Sequence, residues 1–226
     1  MVKKIYLSPS SQSANAYATG GTTEQTECRK ISKACADYLR KAGFEVKDGN
    51  SGDMYSRVAE SNKWGADLHV PIHTNATANH SVTGGTQIYL NKLDGEHKKV
   101  GQAVLDRLAP LTPGKSAERL VQSSTFYEIN KANAMTVYME CEFHDTTTGS
   151  DYIRTHTTEI GEAIAKGICD YYGVALPSEV KAEATQSGDL YCVQVGAYSK
   201  YTNAQAQLEK VKAKGFTDAF ITVKKK

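Results

Sequence analysis

The sequence predicts an α/β protein: a mostly parallel twisted sheet with helices on both faces, followed by a small βαβ unit. Three observations carry that expectation. Short apolar runs of strand length alternate, up to about residue 174, with stretches whose apolar residues recur at helical spacing. Glycines stand where those helical stripes stop, at Gly43 and Gly65. The alternation lapses over residues 175–189 into Pro, Ser, Glu, Lys, Ala and Gly, then resumes as a strand at 190–198, a helix at 201–214 carried by Ala204, Leu208 and Val211, and a strand at 217–223.

Taken in order, Lys4 to Leu7 reads as a strand closed by Ser8-Pro9, and residues 8–23 as a long polar loop. Thr23 is an N-cap for a helix opening at Glu24, carried by Ile31, Ala34, Cys35, Tyr38, Leu39 and Ala42. Phe44 to Lys47 is a second strand, and Met54 to Trp64 a second helix. Residues 66–76, Ala-Asp-Leu-His-Val-Pro-Ile-His-Thr-Asn-Ala, form the central strand and the turn after it. A strand at Thr86 to Leu90 and a helix at Gly95 to Leu108 come next, closed by Pro110 and Pro113. After a mixed stretch, Met135 to Met139 is a strand ending at Glu140, and Ile160, Ala163, Ile164, Gly167, Ile168 and Tyr171 form one helical stripe. Strands alternating with helices imply parallel pairing through crossovers.

With 226 residues there is room for one ordinary domain, 1–174, a linker, 175–189, and a small unit, 190–226. A net charge of +2 gives no electrostatic case for nucleic acid as the main partner. No apolar run approaches membrane-spanning length. The apolar part of Met-Val-Lys-Lys-Ile-Tyr-Leu is too brief for a secretory signal, so the expectation is a protein folded in a cytoplasm. The five cysteines are odd in number and lack CxxC spacing, which predicts reduced, mostly buried thiols.

Open α/β sheets place their chemistry at strand ends, which singles out Glu24, His73 and Glu140. An imidazole and a carboxylate can bind zinc, and a catalytic zinc site takes about three protein ligands plus one open position. A second carboxylate can then move protons. Each residue also has a plain structural explanation: a hydrogen-bonded strand-end histidine, a helix-dipole glutamate and a salt-bridged carboxylate. His69 lies about 13 Å before His73 on the same face, too far for the same metal, and is expected in a core or supporting role. Arg57 is expected on a solvated helix face.

The segment Ile72-His73-Thr74-Asn75-Ala76 resembles the Ile-His-x-Asn-Ala motif of the zinc-dependent N-acetylmuramoyl-L-alanine amidases of the amidase-3 type, found as bacterial autolysins and phage endolysins. Glu24 opening its helix and Thr136-Val137-Tyr138-Met139-Glu140 followed by Phe143 keep the family's order and spacing over residues 4–172. The resemblance implies that Glu24 and His73 are zinc ligands and that Glu140 is the catalytic carboxylate. Asn75 and His144 are then candidate substrate contacts. The family usually has Asp-Pro-Gly-His after the first strand, and Ser11 stands here where that ligand histidine is expected, in Ser8-Pro9-Ser10-Ser11-Gln12. Gln12 offers an amide oxygen and is the candidate third ligand, with Asn15 a poorer one; such a set is oxygen-rich and holds zinc weakly.

The run Tyr191-Cys192-Val193-Gln194-Val195-Gly196-Ala197-Tyr198, with Asn203-Ala204 and Gly215-Phe216, is similar to the opening half of the SPOR peptidoglycan-binding domain. That implies peptidoglycan as a partner and a homodimer in which two half-modules complete one sheet. The combined expectation is a peptidoglycan hydrolase cutting the amide between N-acetylmuramic acid and L-alanine. The lack of a secretory signal suits a phage or prophage endolysin held in the host cytoplasm until lysis, with a bacterial enzyme released by another route as the other reading. The alternative is an amidase fold that only binds or regulates cell wall.

Overall fold

The structure, a computed structural model, describes residues 2–77, 84–177, 195–217 and 219–223. It divides into two compact units, Met1–Pro177 and Ser178–Lys226. In the first, β1 (Lys4–Pro9), β2 (Glu45–Asp48) and β3 (Leu68–Asn75) are followed by β4 (Gln87–Leu90), β5 (Arg119–Gln122), the short β6 (Met135–Thr136) and β7 (Tyr138–Phe143). The sheet order is β2-β1-β3-β7-β4-β5, with β6 pairing to β3. All pairings are parallel except β4 against β7. The Gly84-Gly85 break thus reverses the last two strands, which a pattern of alternating elements does not foretell.

Strand period decides what each face of the sheet holds. Ile5, Leu7, Leu68, Val70, Ile72, Ile88, Leu90, Met139 and Cys141 share one fully buried core. That core is closed by α1 (Glu24–Lys41), α3 (Gly95–Leu108) and α6 (Thr157–Tyr172) through Cys28, Ile31, Leu39, Val104, Ile160, Ile164 and Ile168. α6 lies between the other two helices because it has no side chain where they approach: a Cβ on Gly161 would stand 2.4 Å from the Ile31 carbonyl oxygen, and one on Gly167 2.5 Å from Val104 Cα. The alternate residues, Tyr6, Ser8, His69, His73, Tyr138, Glu140 and Gln87, belong to the other face. There α2 (Met54–Trp64) and α4 (Tyr127–Lys131) lie close, with Tyr6 donating to Glu60 of α2 and Ser8 to Glu128 of α4.

The caps follow the sequence. Thr23 accepts from the Thr26 N–H at the start of α1, and Asp53 accepts from Ser56 at the start of α2. Pro71 sits in a central strand, where a missing N–H is normally costly. It is tolerated because the ladder on that side of β3 is broken there, between β6 and β7. Two helices and one strand lie where the sequence shows no clear signal: β5, α4 and α5 (Thr147–Thr155). The strand expected to end at Glu140 instead continues to Phe143. Cys28, Cys35, Cys141 and Cys169 are buried free thiols, and among the described residues no helix is long and apolar enough to cross a membrane.

In the second unit α7 (Tyr201–Lys212) forms as its spacing predicts, with none of its residues buried. The strand expected at residues 190–198 lies mostly outside the described residues. The one expected at 217–223 is not formed among 217 and 219–223, where no neighbouring described strand supplies a ladder.

Candidate active site

β3 and β7 run side by side and in parallel, with His73 directly opposite Glu140. On its other side Glu140 is opposite Gln87 of β4. The long loop after β1 brings the start of α1 over the same point, so Glu24 Oε1 lies 2.8 Å from His73 Nδ1. Three residues separated by 49 and 67 positions (73 − 24; 140 − 73) therefore meet on one face of the sheet. Gln12 arrives on the same loop, its amide nitrogen 3.4 Å from the same Nδ1. Asn15 Nδ2 ties that corner together, donating to Gln12 Oε1 and to Glu24 Oε2, each at 2.8 Å.

A fourth participant has no motif of its own. Glu128, in the first turn of α4, accepts from Ser8 Oγ at 2.6 Å and lies 3.2 Å from His69 Nε2. Its second oxygen is 3.9 Å from His73 Nε2. His73 is thus flanked by carboxylates at both ring nitrogens, while Tyr138 stacks on the ring at 4.7 Å. Only an acid beside a tyrosine in an unpatterned stretch marked this position in the sequence.

The electrostatics follow from three carboxylates around one imidazole. Burial opposes the charged form of His73, yet the hydrogen bond to Glu24 and the charges of Glu140, Glu24 and Glu128 win and hold it above the usual imidazole range. Burial likewise works against the Glu24 carboxylate, but His73 and Asn15 bring it below its ordinary value. Glu128 also ends low, because His69, Ser8 and His73 outweigh its burial. Glu140 goes the other way. Burial pushes it up to about 8, against the pull of His73, and Glu24 adds to the rise. Its Oε2 is buried with no hydrogen-bond partner among the described residues.

The other candidates fall nearby in different roles. Asn75 Nδ2 donates to Gln87 Oε1 at 3.0 Å, from the end of β3. His144 is buried, its Nδ1 2.9 Å from Thr74 Oγ1 and its ring stacked at 4.8 Å on Tyr17. Arg57 is not on a solvated face: it is 2% exposed, with Nη1 donating to the Pro9 carbonyl and Nε to that of Ser51. One guanidinium thus meets the Pro9 carbonyl at the end of β1 and the Ser51 carbonyl in the loop before α2.

The donor set fits a divalent cation. Glu24 and His73 converge through an oxygen and a nitrogen, and the carboxylates outnumber the local cationic groups. The unpartnered oxygen of Glu140 faces the same excess of negative charge. Among the described residues no three His, Cys, Asp or Glu side chains gather to hold a metal by themselves. Two amides border the pair: Gln12, 3.4 Å from His73 Nδ1, and Asn15, 2.8 Å from Glu24 Oε2. The Gln12 oxygen now accepts from Asn15, so ligation by Gln12 requires its amide to turn and give up that bond, a cost of about 1 kcal/mol.

Known proteins place this arrangement. The family model for N-acetylmuramoyl-L-alanine amidase matches residues 9–170, and the SPOR domain model matches residues 187–226. The chain is 26% identical over 236 aligned positions to the sporulation-specific N-acetylmuramoyl-L-alanine amidase of Bacillus subtilis, covering 98% of this chain and 85% of that one. Among solved structures, the catalytic domain of CwlV, an N-acetylmuramoyl-L-alanine amidase from Bacillus (Paenibacillus) polymyxa var. colistinus, superposes with a TM-score of 0.67 at 19% identity. It covers 77% of this chain and 100% of that domain. Cwp6 from Clostridium difficile gives 0.62 at 23% identity over 74% of this chain and 30% of its own length, so this chain spans under a third of that protein. These structural likenesses carry the fold. The family match runs through β3, β7 and the start of α1, over well more than half the sequence, and this protein belongs to the N-acetylmuramoyl-L-alanine amidase family of peptidoglycan amidases.

Proposed function

We propose that this chain hydrolyses the amide between N-acetylmuramic acid and the L-alanine of the stem peptide, with a metal ion held by Glu24, His73 and Gln12. The observation that carries this reading is Glu140: a buried carboxylate opposite His73, with one oxygen unpartnered and a proton affinity raised to about 8. A general base works best when its pKa lies near the operating pH. When bound, a zinc ion polarises the amide carbonyl and lowers the pKa of a water to about 7. Glu140 takes a proton from the attacking water as the new C–O bond forms. It gives that proton to the alanine nitrogen as the C–N bond breaks, leaving a muramic carboxylate and a free amine. Tyr138, stacked on His73, keeps water off the flank of the ring. Asn75 fixes Gln87 beside Glu140 and stands where substrate would pass. His144, tied to Thr74 and Tyr17, supports the end of β3 from beneath.

The second unit is read as a wall tether that raises the local concentration of the first. Val195, Tyr198, Tyr201, Phe216, Phe220 and Val223 are all exposed, which supports a partner surface there. A homodimer through this unit is the expected state, and a monomer by sedimentation at micromolar concentration would overturn it. Similarity to a sporulation-specific amidase along both units supports remodelling of the producer's own wall over phage lysis.

The test is product analysis on purified peptidoglycan. New N-terminal alanine without new reducing ends is the expected result, lost in Glu140→Gln. Reducing ends, or binding to wall with no alanine released even with zinc added, would replace the amidase by a glycosidase or a binding module.

A further inference from the structure

We propose that Glu128 is the positioning residue of this site, fixing the ring of His73 through Nε2 so that Nδ1 is presented to Glu24 and Gln12. The two ring nitrogens of a histidine are inequivalent, and the bond made by one sets what the other can do. On the Nδ1 side of His73 stand Glu24 Oε1 at 2.8 Å and the Gln12 amide at 3.4 Å. On the Nε2 side stands one carboxylate oxygen, Oε2 of Glu128, at 3.9 Å, an ion-pair distance that becomes a hydrogen bond when the carboxylate closes on the ring. Tyr138 covers a ring face. The two candidate ligand partners, Glu24 and Gln12, stand at Nδ1, and among the described residues the ion-pair partner at Nε2 is Glu128.

Glu128 is itself held in place. Its other oxygen accepts from Ser8 of β1 and lies 3.2 Å from His69, whose Nδ1 is 3.0 Å from Ser61 Oγ of α2. His69 and His73 are about 13 Å apart along β3, four residues of extended chain. One carboxylate nonetheless reaches both rings, since it enters from α4 between them. Ser8, His69 and Ser61 so anchor a short helix that would otherwise rest on only five residues. This gives His69 a role: it holds the carboxylate that holds His73. A metal-ligating histidine commonly gives its second ring N–H to such a carboxylate, and losing the partner typically costs about 10–100-fold in metal affinity.

The proposal rests on the amidase reading for which nitrogen faces the reaction, and its test separates the two. The full chain labelled with ¹⁵N is compared with Glu128→Gln and His69→Gln, with His73→Gln used only to assign the ring signals. Without added metal, the wild type is expected to show a slowly exchanging Nε2–H on His73 that Glu128→Gln loses. In chelator competition, zinc is expected to bind Glu128→Gln about 10–100-fold more weakly. His69→Gln, whose amide can still donate to Glu128, is expected to keep the His73 signal and to lose less zinc affinity than Glu128→Gln. Melting curves on the same samples show whether each variant is folded. A folded Glu128→Gln that keeps the Nε2–H signal and binds zinc like wild type overturns the proposal. Equal zinc losses in both variants overturn it too, since that is what general loosening would give. A wild type that binds no zinc but has the Nε2–H signal, lost in Glu128→Gln, sinks the metal reading and leaves the positioning role standing.

Discussion

Glu140 and Glu142 stand two residues apart on β7, beside its register shift against β3, and the surrounding chain treats them in opposite ways. Glu142 is fully buried with every contact supplied: it accepts backbone N–H groups from Gly85 at 2.7 Å, Phe143 at 2.8 Å and Gly114 at 3.1 Å. Those donors come from the entry to β4, from β7 itself and from the loop before β5. Gly84 and Gly114 pass so close that a Cβ on Gly114 would stand 2.3 Å from the Gly84 backbone. This carboxylate is a clasp. Glu140 has a buried oxygen with no donor, a histidine alongside and a raised proton affinity. Burial alone does not make a carboxylate reactive. What differs is whether the backbone has already saturated its lone pairs.

The largest expected effect breaks the Glu140 side. Glu140→Gln should lower alanine release by about 10²–10⁴-fold, the usual contribution of a general base. In the metal-free chain the same substitution should act on stability with a definite sign. Glu140 titrates near 4.5 when unfolded and near 8 when folded. Its contribution is fully present below the lower value and is lost as pH rises through the upper one. His73, also raised, changes in the same direction. Melting of the wild type should therefore fall between pH 5 and 8, and Glu140→Gln should flatten that fall, leaving the variant more stable by about 5 °C or more at pH 8. Parallel curves would mean that Glu140 is ionised in the folded protein.

The clasp should fail differently. Glu142→Ala removes one acceptor from three buried N–H groups and should cost about 3 kcal/mol or more in denaturant unfolding. Alanine release per folded molecule should stay close to wild type, because none of those donors reaches His73. If activity collapses while the fold survives, the distinction between the two glutamates is wrong. The smallest effect sharpens the boundary between the two regions. Asn75→Ala frees Gln87 from β3 and should cost about 1 kcal/mol of stability. A rise in KM of roughly fivefold with kcat nearly unchanged would mark Asn75 as a substrate contact as well.

Some of this was legible because it is local. The helix start at Glu24 is announced by Thr23, and the stops by glycine, since a cap bond spans only three residues. The motif around His73 and the spacing to Glu140 brought out the right strands. The missed α4 is five residues long, too short for a helical period to show. With it went Glu128, and with the reading of Arg57 as solvated went a buried guanidinium under the first loop.

By itself, then, the sequence determined where the chain turns, which residues have the period of a strand or helix, and that an imidazole and two carboxylates stand near strand ends. Those are properties of neighbours, set by dihedral preference and by alternation along one segment. Only the tertiary structure decided that β4 runs against β7, that Glu128 reaches both His69 and His73, and that Glu142 is saturated while Glu140 is not. Pairing direction and desolvation depend on groups dozens of residues away. A carboxylate's chemistry is fixed by what those groups donate to it and by how much water they exclude.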